Sequence, residues 1–264
     1  VVVEEGSAPN VRLSKSSDVN VSIASSHDIA NSCDPIVVLG GDGTLIGVAH
    51  YIKTKWPVMI GVNFGNLGFL TEIAPDELMK VLEDFEAHRG IISERRMLQA
   101  TVFRQKEEVF KGQAVNEVAI LKAVEAPLLE LDLLLDDEDM LRLRADGLLV
   151  ATTTGSTAYS LSAGGSIVHP DVPAMLITPI MPHLLAIRPL VMPLDSKFKT
   201  SVLEYKGRVS LSLDGQVHFE LKPNDDILIT QAKTTVRFLR SPSKTYFEIL
   251  RQKLSWGSTG VKRK

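Results

Sequence analysis

The chain has 264 residues, 44% of them hydrophobic and 23% charged, and a formal net charge of −3. That length buries one large core or two modest ones, and the charge excludes a globally basic binder of nucleic acid or anionic membrane. The single cysteine, Cys33, excludes an internal disulfide framework and fits a reducing compartment.

Residues 1–94 read as an α/β domain. The apolar runs Val19–Ile23, Ile36–Leu39 and Val58–Val62 have the character of parallel strands, each approaching a loop. Helical patterns follow at Leu45–Tyr51 and Pro75–His88, the second with Leu78, Val81, Leu82 and Phe85 at three- and four-residue intervals. Cys33, beside the second strand, is expected to be buried. Val1 is not an initiator residue, and an α/β domain ordinarily begins with a strand and helix ahead of those seen here. A preceding segment is therefore expected.

The texture changes near Arg96. Leu98–Phe103, Glu108–Gln113, Glu117–Leu121, Leu129–Leu135, Met140–Arg144 and Gly147–Ala151 read as strands separated by short turns. Leu176–Ile180, Val209–Leu213, Val217–Leu221 and Ile227–Ile229 continue the pattern. Such spacing predicts a β-rich, sandwich-like second domain over 95–241. The small residues of Ala158–Gly165 suit one short helix within it. The most apolar run, Ala174–Val191, is broken by Pro179, Pro182 and Pro189 and carries His183 and Arg188, so it predicts no membrane span. Residues 242–264 return to helix, with Tyr246, Phe247, Leu250 and Leu254 on one face. This tail is expected to pack on the first domain and cover Phe247 and Trp256, with a frayed end over Gly257–Lys264.

Chemistry concentrates in a few stretches. Ile36–Leu39 runs into Gly40-Gly41-Asp42-Gly43-Thr44, which places one carboxylate in a glycine-rich turn between a strand and a helix. Glycines permit close approach of a ligand, and converging N–H groups at a helix start favour phosphate. The run lacks the lysine of a P-loop and the glycine spacing of a hydride-transferring Rossmann site. An acid beside phosphate-binding amides is suited to orient an alcohol and take its proton; the plainer alternative is an aspartate capping its own helix.

A second cluster, Gly61-Val62-Asn63-Phe64-Gly65-Asn66-Leu67-Gly68-Phe69-Leu70, fits both a tight loop and a ligand-facing one, with Phe64 as a candidate contact. Asn116-Glu117 is weak evidence alone. Arg144 and Asp146 flank Ala145 and share one side of an extended strand, which suits either an ion pair or polar recognition at Asp146-Gly147. Thr152–Gly165 crowds hydroxyls at the entrance of the short helix, with Thr154, Thr157, Ala158, Tyr159, Ser160 and Ser162 as candidate binding positions. Asp214-Gly215-Gln216 reads as a hairpin turn. His183 and Arg188 have no ligand-spaced partners, so no resident metal site is expected.

Together these stretches resemble the NAD kinase family, especially its bacterial members, over Ile36 to Trp256. Gly40–Thr44 alone is also similar to lipid kinases acting on diacylglycerol or sphingosine, and more distantly to phosphofructokinases. Gly61–Leu70, Asn116-Glu117, Asp146-Gly147, Thr154–Tyr159, Pro182-His183 and Arg188-Pro189 make the resemblance specific. It implies an ATP-dependent NAD+ kinase, with Asp42 activating the adenosine-ribose 2′-hydroxyl and Gly41, Gly43 and Thr44 continuing the phosphate-binding turn. It implies that Asn116 and Glu117 hold ribose hydroxyls, that Asp146 faces the nicotinamide, and that Thr154, Thr157, Ala158 and Tyr159 surround the adenine. Arg144 and Gln216 fall on binding positions, Arg144 across a subunit interface.

The resemblance further implies a substrate cleft between the two domains, Mg2+ accompanying ATP, a homodimer or homotetramer, and a cytoplasmic enzyme without nucleic-acid or membrane partners. Leu184, Leu185 and Ala186 depart from the small polar residues usual between Pro182-His183 and Arg188. A lipid kinase and a non-catalytic dinucleotide sensor are the alternatives.

Overall fold

The computed structural model describes residues 1–10, 20–52, 57–65, 67–203 and 206–256. Val19, Asn66 and the expected frayed end at Gly257–Lys264 lie outside them. The chain divides into two compact units, Val1–Glu94 with Val236–Lys264, and Arg95–Thr235.

In the first unit, β1 (Val2–Glu4) pairs in parallel with β2 (Ser22–Ala24). Helix α1 (Ser26–Ser32) follows, its N-terminus capped by the Ser25 hydroxyl, which accepts the Asp28 N–H. Cys33 is the C-cap of α1 and is half-buried, not buried as expected. Next come β3 (Ile36–Leu39), α2 (Asp42–Ala49) and β4 (Val58–Val62), with β3 and β4 parallel in the register Ile36 to Met59.

All five β4 residues are buried, as a central strand requires. β3 stands at the end of the sheet order and alternates: Ile36 and Val38 face in, Val37 and Leu39 out. Helix α3 (Leu78–Glu86) lays Leu78, Val81, Leu82 and Phe85 over Val58, Ile60, Val62 and Ile73. It is shorter than the sequence pattern, ending before His88, which takes a positive φ of 56°.

The second unit is strand-built. β5 (Ile91–Arg104) enters it, followed by β6 (Glu107–Ala114), β7 (Glu117–Lys122), β8 (Leu129–Leu135), β9 (Glu138–Ala145) and β10 (Gly147–Thr152). After α4 (Tyr159–Ser162) come β11 (Ala174–Ile180), β12 (Leu190–Pro193), β13 (Phe198–Val202), β14 (Val209–Leu213), β15 (Val217–Leu221) and β16 (Asp226–Arg240). One sheet has the order β12-β11-β10-β7-β14-β15, antiparallel throughout. A second layer runs β16-β13-β8-β9, and the β5–β6 hairpin joins it through β16.

Leu98, Leu129, Leu131, Phe198 and Ile229 from the second layer meet Ile120, Leu148, Val150, Met175 and Leu211 from the first in one dry core. Tight hairpins at Gln105-Lys106, Asp136-Asp137 and Asp214-Gly215 put both central residues at positive φ, the geometry that matches strand twist.

Three strands escaped the sequence reading: β1, β12 and β13. In β13 (FKTSV) only alternate residues are buried, so the apolar signal is halved. β16 extends far beyond Ile227–Ile229 because its polar residues occupy the outward positions. Its last residues pair with β4, Arg237 beside Val58, which places 236–241 in the first unit instead of closing the second domain at 241. Helix α5 (Tyr246–Lys253) then begins with a reciprocal cap between Thr245 and Glu248. It buries Ile249 and Leu250, whereas Phe247 and Trp256 stay more than half exposed, contrary to expectation. Among the described residues no helix is long and apolar enough to cross a membrane.

Candidate active site

The chain leaves β3 at Leu39 and turns through Gly40 and Gly41 into α2, so Asp42 is the first helical residue and Gly41 its N-cap. Gly40 is required locally, since a Cβ there would lie 2.8 Å from the Thr44 hydroxyl oxygen. At Gly41 and Gly43 the same atom would meet nothing within 4 Å. Those two positions leave the backbone open beside the first turn of a helix, whose leading N–H groups have no intrahelical acceptors.

Asp42 does not cap its own helix. Its carboxylate reaches to a loop 27 to 29 residues later, where Oδ2 accepts the Phe69 N–H at 2.8 Å. Oδ1 accepts the N–H groups of Leu70 (3.1 Å) and Thr71 (2.9 Å) and the Thr71 hydroxyl (2.9 Å). The two oxygens are thus unequal, one with three donors and the other with one.

The second glycine cluster is largely the cradle for this acid. A Cβ on Gly68 would fall 2.0 Å from Asp42 Oδ1 and 2.1 Å from Thr71 Oγ1, and one on Gly61 would strike Thr71 at 2.8 Å. Asn63 braces the loop by donating to the Thr71 carbonyl at 2.9 Å and accepting the Gly65 N–H at 3.2 Å. Phe64 is 69% exposed at the loop tip.

In the second unit, three strand ends converge. Glu117 begins β7, Thr152 ends β10 and Asp214 follows β14, with Ala151 opposite Glu117 and Leu213 opposite Val118. The Asp214 carboxylate accepts three successive N–H groups, from Val115 (2.7 Å), Asn116 (2.8 Å) and Glu117 (2.9 Å). The supposed simple hairpin turn is therefore also the clamp that fixes Asn116-Glu117, and its Gln216 is exposed on the same turn. Thr152 ties the next segment in: its hydroxyl donates to the Val115 carbonyl at 2.6 Å and accepts the Gly155 N–H at 3.0 Å. Gly155 approaches so closely that a Cβ would lie 2.2 Å from the Asn116 carbonyl oxygen.

Glu117 is the anomaly here. Its side chain is 8% exposed, and its Oε2 has no hydrogen-bond partner among the described residues. Burial, and then the charge of Asp214, push its carboxyl up to about 7, partly offset by the Tyr159 N–H.

Of the hydroxyl-rich stretch, Thr154 is buried, Thr157 and Ala158 half-buried, and Tyr159 40% exposed. Thr157 donates to the Thr154 carbonyl at 3.2 Å. Ser160 is fully buried with its hydroxyl engaged by Thr178 at 2.9 Å. That hydroxyl therefore links the short helix to β11, while Ser162 is exposed.

Arg144 and Asp146 are not brought to this cluster. Asp146 precedes Gly147, which pairs with Leu121 at the other end of β7 and β10; six residues of strand separate it from Thr152, roughly 20 Å. Nor do the two pair with each other. Arg144 Nε contacts Glu130 at 3.0 Å, and Asp146 contacts Lys122 at 3.3 Å. A bend at Asp146 breaks the extended geometry that would align them.

A cavity of about 410 Å³ opens between Phe103, Leu134, Lys199 and Leu228, and no candidate residue lines it. No group of three or more His, Cys, Asp or Glu suited to hold a metal occurs among the described residues.

Residues 7–90 match the ATP-NAD kinase N-terminal domain and 115–241 the ATP-NAD kinase C-terminal domain. An NAD kinase from Trichlorobacter lovleyi is 45% identical over 87% of this chain and 81% of its own length. One from Geotalea daltonii is 44% identical with the same coverage. Among solved structures, yeast NADH kinase complexed with NADH superposes with a TM-score of 0.89 at 29% identity, covering 100% of this chain and 81% of the other. An NAD kinase from Archaeoglobus fulgidus in complex with ATP gives 0.74 at 25% identity, covering 91% of each. The lipid kinase and the sensor find no support in these likenesses. With both domain families matched in order and close relatives aligned over most of their length, the chain belongs to the ATP-NAD kinase family.

Proposed function

We propose that Asp42 is the proton acceptor of the NAD kinase reaction in this chain. The 2′-oxygen of the adenosine ribose bonds to the γ-phosphorus of MgATP as the bond to the β–γ bridging oxygen breaks. ADP leaves, and the hydroxyl proton passes to Asp42. The observation that carries this reading is the asymmetry of the carboxylate: Oδ1 holds three donors, whereas Oδ2 holds one and retains acceptor capacity. Gly41, Gly43 and Thr44 offer the phosphates an open, glycine-rich helix start. Mg2+ arrives as part of the nucleotide substrate, consistent with a single acid in the turn, and neutralises phosphate charge.

Asn116 and Glu117 bind ribose hydroxyls in this proposal, a hydroxyl donor meeting the buried Oε2 of Glu117. Thr154, Thr157, Ala158 and Tyr159 border the adenine, with Phe64, Ser162 and Gln216 as outer contacts. Arg144 and Asp146 serve a neighbouring copy, since they lie at the wrong end of β10 to serve their own. The enzyme is accordingly a homo-oligomer. We place it in the cytoplasm, where a lone half-buried thiol such as Cys33 stays reduced.

Incubation with NAD+, ATP and magnesium gives NADP+ and ADP. Asp42→Asn lowers kcat about 10²–10⁴-fold while calorimetry still detects NAD+ binding; normal turnover in that variant ends the proton-acceptor assignment. Mixing inactive Asp42→Asn with inactive Arg144→Ala regenerates activity if Arg144 acts across an interface. No recovery after subunit exchange places it outside the neighbour's site.

A further inference from the structure

The loop that holds Asp42 is itself held from behind. Thr71 is fully buried and makes two of the three contacts to Asp42 Oδ1. The next residue, Glu72, is 3% exposed and receives Arg240 Nε at 3.1 and 3.3 Å and the Ser241 N–H at 3.2 Å. Lys244 donates to the Glu72 carbonyl at 2.8 Å and to Glu77 at 2.9 Å. At the other side of the loop, the Lys253 ammonium of α5 lies 5.6 Å from the centre of the Phe69 ring. Phe69 is the first of the donors to Asp42 and Glu72 follows the last, and the C-terminal segment contacts both.

We propose that Thr71 and the buried Glu72–Arg240 pair behind it are positioning residues for Asp42. The C-terminal segment thereby orients the reacting carboxylate although none of its side chains bonds to it. A buried ion pair is weak evidence of stabilisation, because desolvation offsets the attraction. Its directional value is greater: two contacts from one guanidinium nitrogen and one backbone N–H fix Glu72, and with it the adjoining residue Thr71, which carries the N–H and hydroxyl donors. If Oδ1 loses the Thr71 hydroxyl, the carboxylate can rotate and Oδ2 no longer keeps its aim. Misplacement of a reacting group by about 1 Å costs up to about 100-fold in rate. Binding of NAD+ through Asn116 and Glu117 involves none of these atoms, so the loss falls on kcat and spares KM. The proposal rests on the proton-acceptor reading of Asp42.

The test measures kcat, KM for NAD+ and thermal midpoint in the full chain with MgATP. Thr71→Val and Arg240→Ala each lower kcat about tenfold or more with KM for NAD+ within about twofold. Thr71→Ser, which restores the hydroxyl, recovers most of the loss, and Arg240→Lys recovers part. Arg104→Ala is the control for mere destabilisation. It breaks an equally buried pair, in which Arg104 meets Asp225 at 2.8 and 2.7 Å, and leaves kcat unchanged while lowering the thermal midpoint. Where Arg240→Ala fails to fold, Arg240→Lys and the Thr71 variants decide the matter. Wild-type kcat in Thr71→Val, or an equal kcat loss in Arg104→Ala, overturns the positioning role. Those results differ from full turnover in Asp42→Asn, which overturns the underlying reading instead.

Discussion

Asp42 in the first unit and Glu117 in the second are both acids with proposed roles in the kinase reaction, and their surroundings treat them oppositely. Asp42 is half-buried and already holds four hydrogen bonds from a loop built to receive it. Glu117 is buried with one oxygen lacking any partner among the described residues, beside an Asp214 whose own carboxylate takes three N–H groups. Leaving such an atom unsatisfied costs about 1–3 kcal/mol, which a hydroxyl donor relieves. Under the proposed roles the difference separates two strategies: the reactive group is oriented before substrate arrives, whereas the binding group is kept unsatisfied until it does.

The contrast breaks most sharply at the glycines. Gly68→Ala places a methyl carbon on the Asp42 carboxylate, so it is expected to cost about 1–3 kcal/mol in denaturant unfolding and to abolish most turnover. Gly43→Ala meets open space within a helix, so stability holds or rises slightly, while KM for ATP increases if that surface carries phosphate. Equal stability losses in the two variants contradict the division between cradle and open surface.

The smaller effect is in pH dependence. Because the folded value for Glu117 is raised from the ordinary 4.5 to about 7, the folded chain holds an extra proton between those values, and stability contributed at Glu117 falls as pH rises through the window. Glu117→Gln removes that slope and raises KM for NAD+. Glu77 gives the opposite sign at lower pH. Burial pushes it up, but the Ala74 N–H, Lys244 and the Ser243 hydroxyl outweigh this and hold it at about 2. Its contribution is present above the ordinary 4.5 and is lost as pH falls from there towards about 2. Urea titrations of the wild type and Glu117→Gln across both windows check this; parallel curves between pH about 5 and about 7 refute the Glu117 assignment.

Much of the candidate site was legible as pattern because its pieces are local. Gly40–Thr44 sits on a strand–helix junction visible in the apolar pattern. Closely spaced apolar runs separated by short turns exposed the hairpin-rich second unit, and the family resemblance followed from motifs that are each contiguous. The burial of Ser160 was not legible, because a hydroxyl in a polar stretch gives no sign of which face it takes. β13 was missed because half its residues are polar by the same alternation that makes it a strand.

The sequence by itself determined the chemistry available: one acid in a phosphate-permissive turn, a hydroxyl-rich stretch, and an α/β unit followed by a β-rich one. Only tertiary structure decided what each group does to the others. Asp42 meets donors 27 to 29 residues away, Asp214 clamps N–H groups 97 to 99 residues back, and Arg240 reaches Glu72 across 168. Such contacts are set by strand order and register, and no local residue pattern encodes them, because a hydrogen bond depends on where two atoms come to rest and not on how far apart the chain first wrote them.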